Sequence, residues 1–193
     1  MFKISDNIKA LIFDCDGTLV DSIPLHFEAW EETFIAHRRS YPSEFIDGHD
    51  GMSVVEIIRQ YNKVYHDDLD PKQFAVEKEM RVKEKLIHVK PIIPVTDVVN
   101  KYKGILPMAV CSGSRREGVH ISIRVIGFEN IFKFIITADD DLRPKPSPDM
   151  FLEAARRLDV EPGECQVFED SDLGIEAAIN AGMVATDIRQ YID

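Results

Sequence analysis

Short continuous apolar runs alternate along the chain with stretches whose apolar positions recur every three or four residues. The first run, Ala10-Leu11-Ile12-Phe13, passes directly into polar residues, as expected of a strand buried on both faces of a parallel sheet. From residue 24 to about 37 the spacing turns helical. Leu25, Ala29 and Phe34 alternate with Glu28, Glu31 and Glu32, and Pro24 suits a first helical position. His26 and Trp30 stand four apart and so share a helix face. Pro42, Gly48 and Gly51 mark a loop over residues 40–51. Ser53 is a candidate N-cap for a short helix carrying Val54, Val55, Ile57, Ile58 and Tyr61. Asp70-Pro71 opens a longer helix reaching about residue 88, whose many charges read as a solvated face.

Pro91 and Pro94 bracket a change of character, after which helix and strand alternate. Helices are expected over residues 95–102, 115–126, 148–158 and 172–181, with Gly127 and Gly182 stopping the second and the last. Strands are expected over residues 107–112, 134–138, 165–168 and 183–188. Such alternation predicts an α/β fold with a doubly wound parallel sheet, and the first strand belongs to it. The simplest division is an α/β core, residues 1–20 and 91–193, with a helical insert at residues 21–90.

Composition narrows the function. The 193 residues are 45% apolar and 30% charged, which suits a globular chain with one sizeable core or a core plus a small insert. A formal charge of −11 argues against nucleic acid and against an anionic membrane as partners, since both need a basic footprint. An anionic substrate would need positive charge from a metal or from particular Lys and Arg residues. Cys15, Cys111 and Cys165 cannot all pair, lie within or beside apolar runs, and form no CxxC or zinc spacing. They read as small buried hydrophobes in a reducing compartment. No stretch approaches the length of a membrane span, and the first apolar run meets Asp14 after four residues, too soon for a signal peptide. A cytoplasmic protein is the expectation.

The candidate chemistry begins where the first strand ends. Asp14 and Asp16 stand one residue apart, and Gly17 then supplies a tight turn. In open α/β sheets, ligands bind beyond the carboxyl ends of the strands. Two carboxylates this close repel unless a cation relieves them, and Mg2+ is the hard cation suited to one or two carboxylates plus a phosphate. A calcium loop does not fit, because Gly17 directly follows the second Asp and the twelfth residue from Asp14 is Leu25. Three further polar positions follow later strands or precede helices: Ser112, Lys145 in Arg143-Pro144-Lys145-Pro146, and Glu169-Asp170. Singly they read as a helix N-cap, an exposed loop lysine and a capping pair. Together they would meet at one edge of the sheet, an arrangement suited to phosphoryl transfer. Asp14 would be the nucleophile, and Asp16 would protonate the leaving oxygen and then accept a proton from water. Mg2+ would be held by Asp14, Asp170, Glu169 and the Asp16 carbonyl. Lys145, Ser112 and Gly113 would bind the phosphate, with backbone N–H groups of the turn starting at Cys15 adding donors.

These residues resemble the motifs of the haloacid dehalogenase superfamily of phosphotransferases. The stretch from Ala10 to Asp21 is similar to its first motif, hhhhDxDGT[LV]. Residues 108–112 resemble the second, Lys145 the third, and Val167-Phe168-Glu169-Asp170-Ser171-Asp172-Leu173-Gly174 the fourth. The resemblance implies that the helical insert is a C1-type cap, closing over the substrate on hinges at residues 20–24 and 89–94. Within the superfamily the chain is similar to the β-phosphoglucomutase-like branch, where the histidine matching His26 orients the acid–base Asp. One departure bears on the reaction. The mutases carry an arginine after a Gly-x-Ser in the cap, whereas Gly51-Met52-Ser53 is followed here by Val54. Losing that grip on a second phosphate favours release and hydrolysis. Arg115 stands where the mutases have a phosphate-binding lysine, and would hold a distal anionic or hydroxyl group; a plain helix-start arginine is the alternative. Leu69-Asp70-Pro71, Asp97-Val98-Val99 and Pro107-Met108-Ala109-Val110 add a similarity to bacterial fructose-1-phosphate / 6-phosphogluconate phosphatases. The resulting expectation is a monomeric, Mg2+-dependent phosphatase of small phosphate esters, probed against three alternatives: a β-phosphoglucomutase, a pyrophosphatase and a non-catalytic sugar-phosphate sensor.

Overall fold

The computed structural model describes residues 2–47 and 52–192. Its strands in chain order are β1 (Ala10–Phe13), β2 (Val20–Asp21), β3 (Lys90–Pro91), β4 (Met108–Cys111), β5 (Phe134–Ile136), β6 (Cys165–Glu169) and β7 (Val184–Asp187). Five of them form one parallel sheet in the order β5-β4-β1-β6-β7. The unbroken apolar run of β1 is explained by its central place, since all four of its residues are fully buried. Ile12 stands level with Ala109 of β4 on one side and Val167 of β6 on the other. From β1 the chain builds outward through β4 to β5, then returns to add β6 and β7 on the opposite side. The carboxyl end of β1 is therefore the topological switch point, the usual ligand position in such sheets.

The helices of this α/β unit are α5 (Ile93–Tyr102), α6 (Arg116–Val125), α7 (Asp149–Leu158) and α8 (Asp172–Asn180), and those preceding them in the chain are α1 (Ile23–Ala36), α2 (Ser43–Asp47), α3 (Val54–Tyr65) and α4 (Pro71–Leu86). One sheet face packs Ala10, Ile12, Ala109, Cys111, Ile136 and Val167 against Met150, Phe151 and Ala154 of α7 and Ala177 and Ala178 of α8. By the two-residue alternation of strands, the other face carries Leu11, Phe13, Val110 and Phe168. There the rings of Phe13 and Phe168 stack with centroids 4.9 Å apart.

The chain separates into two compact units, Met1–Ser22 with His88–Asp193 and Ile23–Ile87. The second is helical. Its core gathers Trp30 and Phe34 of α1, Ile46 of α2, Ile57, Ile58 and Tyr61 of α3, and Phe74 of α4. Ser53 caps α3, its hydroxyl accepting from the Glu56 N–H at 3.3 Å, and Asp70 caps α4 by accepting from Lys72 and Gln73 N–H at 2.8 and 3.0 Å. Val54, where the mutases carry arginine, is the first residue of α3 and packs partly buried against this core. Gly48 and Gly51 lie outside the described residues.

Three expectations change. The loop predicted over residues 40–51 contains α2, only five residues long and so too short to display a helical period; the Pro42 carbonyl starts it by accepting from Phe45 and Ile46, both at 3.0 Å. β2 and β3 pair antiparallel, a two-residue ladder with Val20 opposite Pro91, where sequence reading placed only a boundary. The charged face of α4 is not wholly solvated, because Lys78 is buried at 5% exposure.

Candidate active site

The carboxyl ends of β4, β1 and β6 bring the predicted polar residues together. β1 delivers Asp14, whose N–H donates to the Phe168 carbonyl at 3.0 Å and so ties it to the β6 side. The chain then folds into a turn in which the Cys15 carbonyl accepts from Leu19 and Val20 N–H at 2.9 and 3.1 Å. Gly17 holds φ at 79°, the left-handed region that glycine enters without steric penalty, and its N–H donates to Val20. The loop between β5 and α7 carries Lys145, whose Nζ reaches three acceptors: Asp14 Oδ1 at 2.6 Å, Glu169 Oε1 at 2.5 Å and the Cys111 carbonyl at 3.2 Å. The ammonium also lies 5.2 Å from the Phe151 ring centroid. All three side chains are sequestered, with 11% of Lys145, 9% of Asp14 and 1% of Glu169 exposed.

The electrostatics of this cluster are unbalanced. Four carboxylates, Asp14, Asp16, Glu169 and Asp170, act on one another around one ammonium. Burial would lower Lys145, but Asp14 and Glu169 outweigh it and hold the lysine charged, above its ordinary range. Burial pushes the Asp14 carboxyl well up, Lys145 opposes, and the other three carboxylates add to the rise. Asp170 is pushed up to about 6 by burial, with the Thr18 hydroxyl opposing and Glu169 adding. Thr18 Oγ1 donates to Asp170 Oδ1 at 2.7 Å.

This excess of negative charge is the observation against which a divalent cation is tested, and the donor set suits one. Asp14 and Asp170 offer hard oxygens held partly desolvated. Among the described residues no group of three His, Cys, Asp or Glu side chains forms a metal cage. Magnesium does not need one, because it retains waters and takes one or two carboxylates plus substrate phosphate. Glu169, read from the sequence with the metal ligands, has both oxygens engaged. Oε1 accepts from Lys145, and Oε2 accepts from the N–H groups of Asp170 and Ser171 and from the Ser171 hydroxyl, each at 2.9 Å.

Asp16 is held by hydroxyls. Ser22 Oγ donates to Oδ1 at 2.6 Å, and Ser114 and Ser112 donate to Oδ2 at 2.6 and 3.3 Å. Ser112 is 1% exposed, and its N–H donates to Ile136 of β5. Next to it, Gly113 faces open space where a side chain would stand. Cys15, between the two aspartates, is fully buried; burial first, then Asp16 and Asp14, push its thiol up, so it is no rival nucleophile. Cys111 and Cys165 are also buried free thiols. Arg115 heads α6, 69% exposed, with its guanidinium 3.9 Å from Asp139. His26 lies in the helical unit, where Lys78 Nζ approaches its Nδ1 at 2.9 Å and stands 5.5 Å over the Trp30 ring. The shared face predicted for His26 and Trp30 is thus the face that meets Lys78.

Sequence reasoning did not name Ser22 or Ser114 for the site, and it used Thr18 only as a motif letter. Thr18 had a signal, its place in the quoted motif. The two serines are of a type too common for position alone to mark them.

Residues 8–182 match the haloacid dehalogenase-like hydrolase family. Over 184 residues the chain is 37% identical to the fructose-1-phosphate phosphatase YqaB of Escherichia coli, covering 95% of this chain and 98% of that protein. It is 28% identical to the β-phosphoglucomutase of Bacillus subtilis over 95% of this chain and 84% of the relative. Among solved structures, CbbY from Rhodobacter sphaeroides in complex with phosphate superposes with a TM-score of 0.81 at 27% identity, over 92% of this chain and 84% of that one.

Proposed function

Because this chain belongs to the haloacid dehalogenase-like hydrolases and is a phosphatase, we propose that it hydrolyses small sugar phosphates, of the fructose 1-phosphate or 6-phosphogluconate class, through a phosphorylated Asp14. One observation carries the reading: Lys145 bridges Asp14 and Glu169 at the switch point of the sheet, beside Asp16, Ser112 and Asp170. The substrate class rests on the 37% identity to the E. coli fructose-1-phosphate phosphatase along almost the whole of both chains.

In this mechanism a carboxylate oxygen of Asp14 bonds to phosphorus while the bond from phosphorus to the ester oxygen breaks, and Asp16 gives that oxygen its proton. Water then bonds to phosphorus, gives a proton to Asp16 and releases Asp14. Lys145, the Ser112 hydroxyl and the Cys15 and Gly113 N–H groups hold the phosphate oxygens, acting on charge as it develops. Arg115 reads a distal anionic or hydroxyl group, and His26 with Lys78 belongs to recognition by the helical unit. Asp14, Asp170 and the Asp16 carbonyl would hold Mg2+, which supplies charge neutralisation for a carboxylate approaching an anion. Glu169 acts one step back, by holding Lys145. The enzyme works as a cytoplasmic monomer. Among the described residues no helix is long and apolar enough to cross a membrane.

A second reading, β-phosphoglucomutase, is favoured by the relative of that name and by the four-residue spacing of His26 and Trp30, which resembles that branch. Phosphate release distinguishes the two across fructose 1-phosphate, 6-phosphogluconate, β-glucose 1-phosphate with and without its bisphosphate, and pyrophosphate, each with Mg2+ and with chelator. Release from one or two sugar phosphates, lost on chelation, is expected. Glucose 6-phosphate appearing only with the bisphosphate would identify a mutase, and release from pyrophosphate alone a pyrophosphatase. Binding of a sugar phosphate without turnover would identify a sensor.

Asp16→Asn is expected to slow sugar esters by about 10²- to 10⁴-fold, since their alkoxide leaving groups need the proton. Nitrophenyl phosphate, whose leaving group does not, should lose much less. Equal losses would remove the acid role from Asp16.

A further inference from the structure

We infer that Gly174 is a positioning residue of the active site: its missing side chain is the space in which the Glu169 carboxylate sits to hold Lys145. The inference rests on the phosphatase reading only for its activity arm. Glu169 is the last residue of β6 and Gly174 the third of α8. Between them the chain turns so tightly that the carboxylate folds back onto the first turn of the helix. Its Oε2 accepts from two backbone N–H groups and from the Ser171 hydroxyl, and the same hydroxyl accepts from the Gly174 N–H at 3.0 Å. This leaves Oε1 directed at Lys145. A Cβ built on Gly174 would overlap both carboxylate oxygens and the Cδ atom of Glu169.

A flexible, exposed side chain would move aside. Glu169 is 1% exposed and held from four donors, so it cannot move without surrendering them. The φ of Gly174 is not in the left-handed region, so backbone freedom does not demand glycine here. Helix propensity alone would favour alanine within α8. Steric contact with Glu169 predicts the opposite sign. Displacing the carboxylate leaves Lys145 with Asp14 and the Cys111 carbonyl, and changes where the ammonium stands relative to the nucleophile.

The test is a double-mutant cycle of Gly174→Ala and Glu169→Ala, read in turnover and in the denaturant midpoint of unfolding. Gly174→Ala should lower kcat by about ten- to a hundredfold, the scale of a misplacement of about 1 Å, with KM changed little, and should lower the midpoint. In the Glu169→Ala background the three atoms that the added methyl would overlap are gone, so Gly174→Ala should cost almost nothing further in either measurement. If Gly174→Ala alone is insoluble, the double variant should fold. Equal losses with and without Glu169, full activity of Gly174→Ala, or a double variant that fails to fold where Glu169→Ala folds would each overturn the inference. The unfolding arm needs no turnover, so a wild-type chain inactive on every ester would sink the phosphatase reading and leave the inference about Gly174 to be decided by stability.

Discussion

Asp14→Asn reduces phosphate release by about four orders of magnitude or more, the scale of removing a covalent nucleophile. The amide nearly matches the carboxylate in size, so the side chain keeps its place at the end of β1. What changes is the chemistry: an amide is a poor nucleophile and a poor ligand for a hard cation. The variant should fold at least as well as the parent. Asp14 is 9% exposed, and burial and three neighbouring carboxylates all disfavour its charge. Neutralising it relieves part of that crowding, while the amide oxygen still accepts from Lys145. Turnover on a sugar phosphate, measured beside the thermal midpoint, checks both statements. A folded variant retaining even a hundredth of the activity would remove Asp14 from the nucleophile's role.

Lys145→Met reduces activity by about 10³-fold, comparable to the loss of one donor that stabilises charge in the transition state, and unlike Asp14→Asn it also destabilises the fold. Methionine keeps an apolar stem of similar reach beside Phe151. It removes the only ammonium that contacts Asp14 and Glu169 in the described structure, at 2.6 and 2.5 Å. Breaking a buried pair from one side costs about 3 kcal/mol, because the remaining charges are left without compensation. The pH dependence follows from the sign of the linkage. With Lys145 gone, the Asp14 carboxyl, already raised by burial, loses the one interaction that lowers it, so it titrates still higher in the folded chain. The folded state then binds more protons, and its stability falls as pH rises through that folded value. Lys145→Met should therefore approach the parent in unfolding midpoint near pH 4 and fall behind it by pH 7. A constant difference across that range would mean that Lys145 supports the fold by packing rather than by charge.

Most of the candidate site residues legible in the sequence stand where an apolar run stops. Asp14 follows β1, Ser112 follows β4 and Asp170 follows β6, so identifying the strands also placed these polar residues at their ends, whereas Lys145 stands in the loop between β5 and α7 and was legible only from its motif. The parallel sheet was legible for the same reason, because strands buried on both faces read as uninterrupted apolar runs. Features that depend on a partner far along the chain were hidden. Lys78 looks solvated by its neighbours in α4, and only the fold reveals that it meets His26 and Trp30 of α1. Ser22 and Ser114 reach Asp16 from two different loops, and no periodicity marks either hydroxyl. α2 and the β2–β3 ladder are shorter than the period needed to recognise them. Gly174 was quoted as part of a motif, but its meaning lies in the carboxylate it makes room for.

The covalent role of Asp14 is tested most directly by stereochemistry at phosphorus. A sugar phosphorothioate made chiral by oxygen isotopes would be hydrolysed in isotopically labelled water and the configuration of the product determined. Two in-line displacements, first by Asp14 and then by water, predict overall retention. Inversion would mean that water attacks the ester directly and that Asp14 never carries the phosphoryl group.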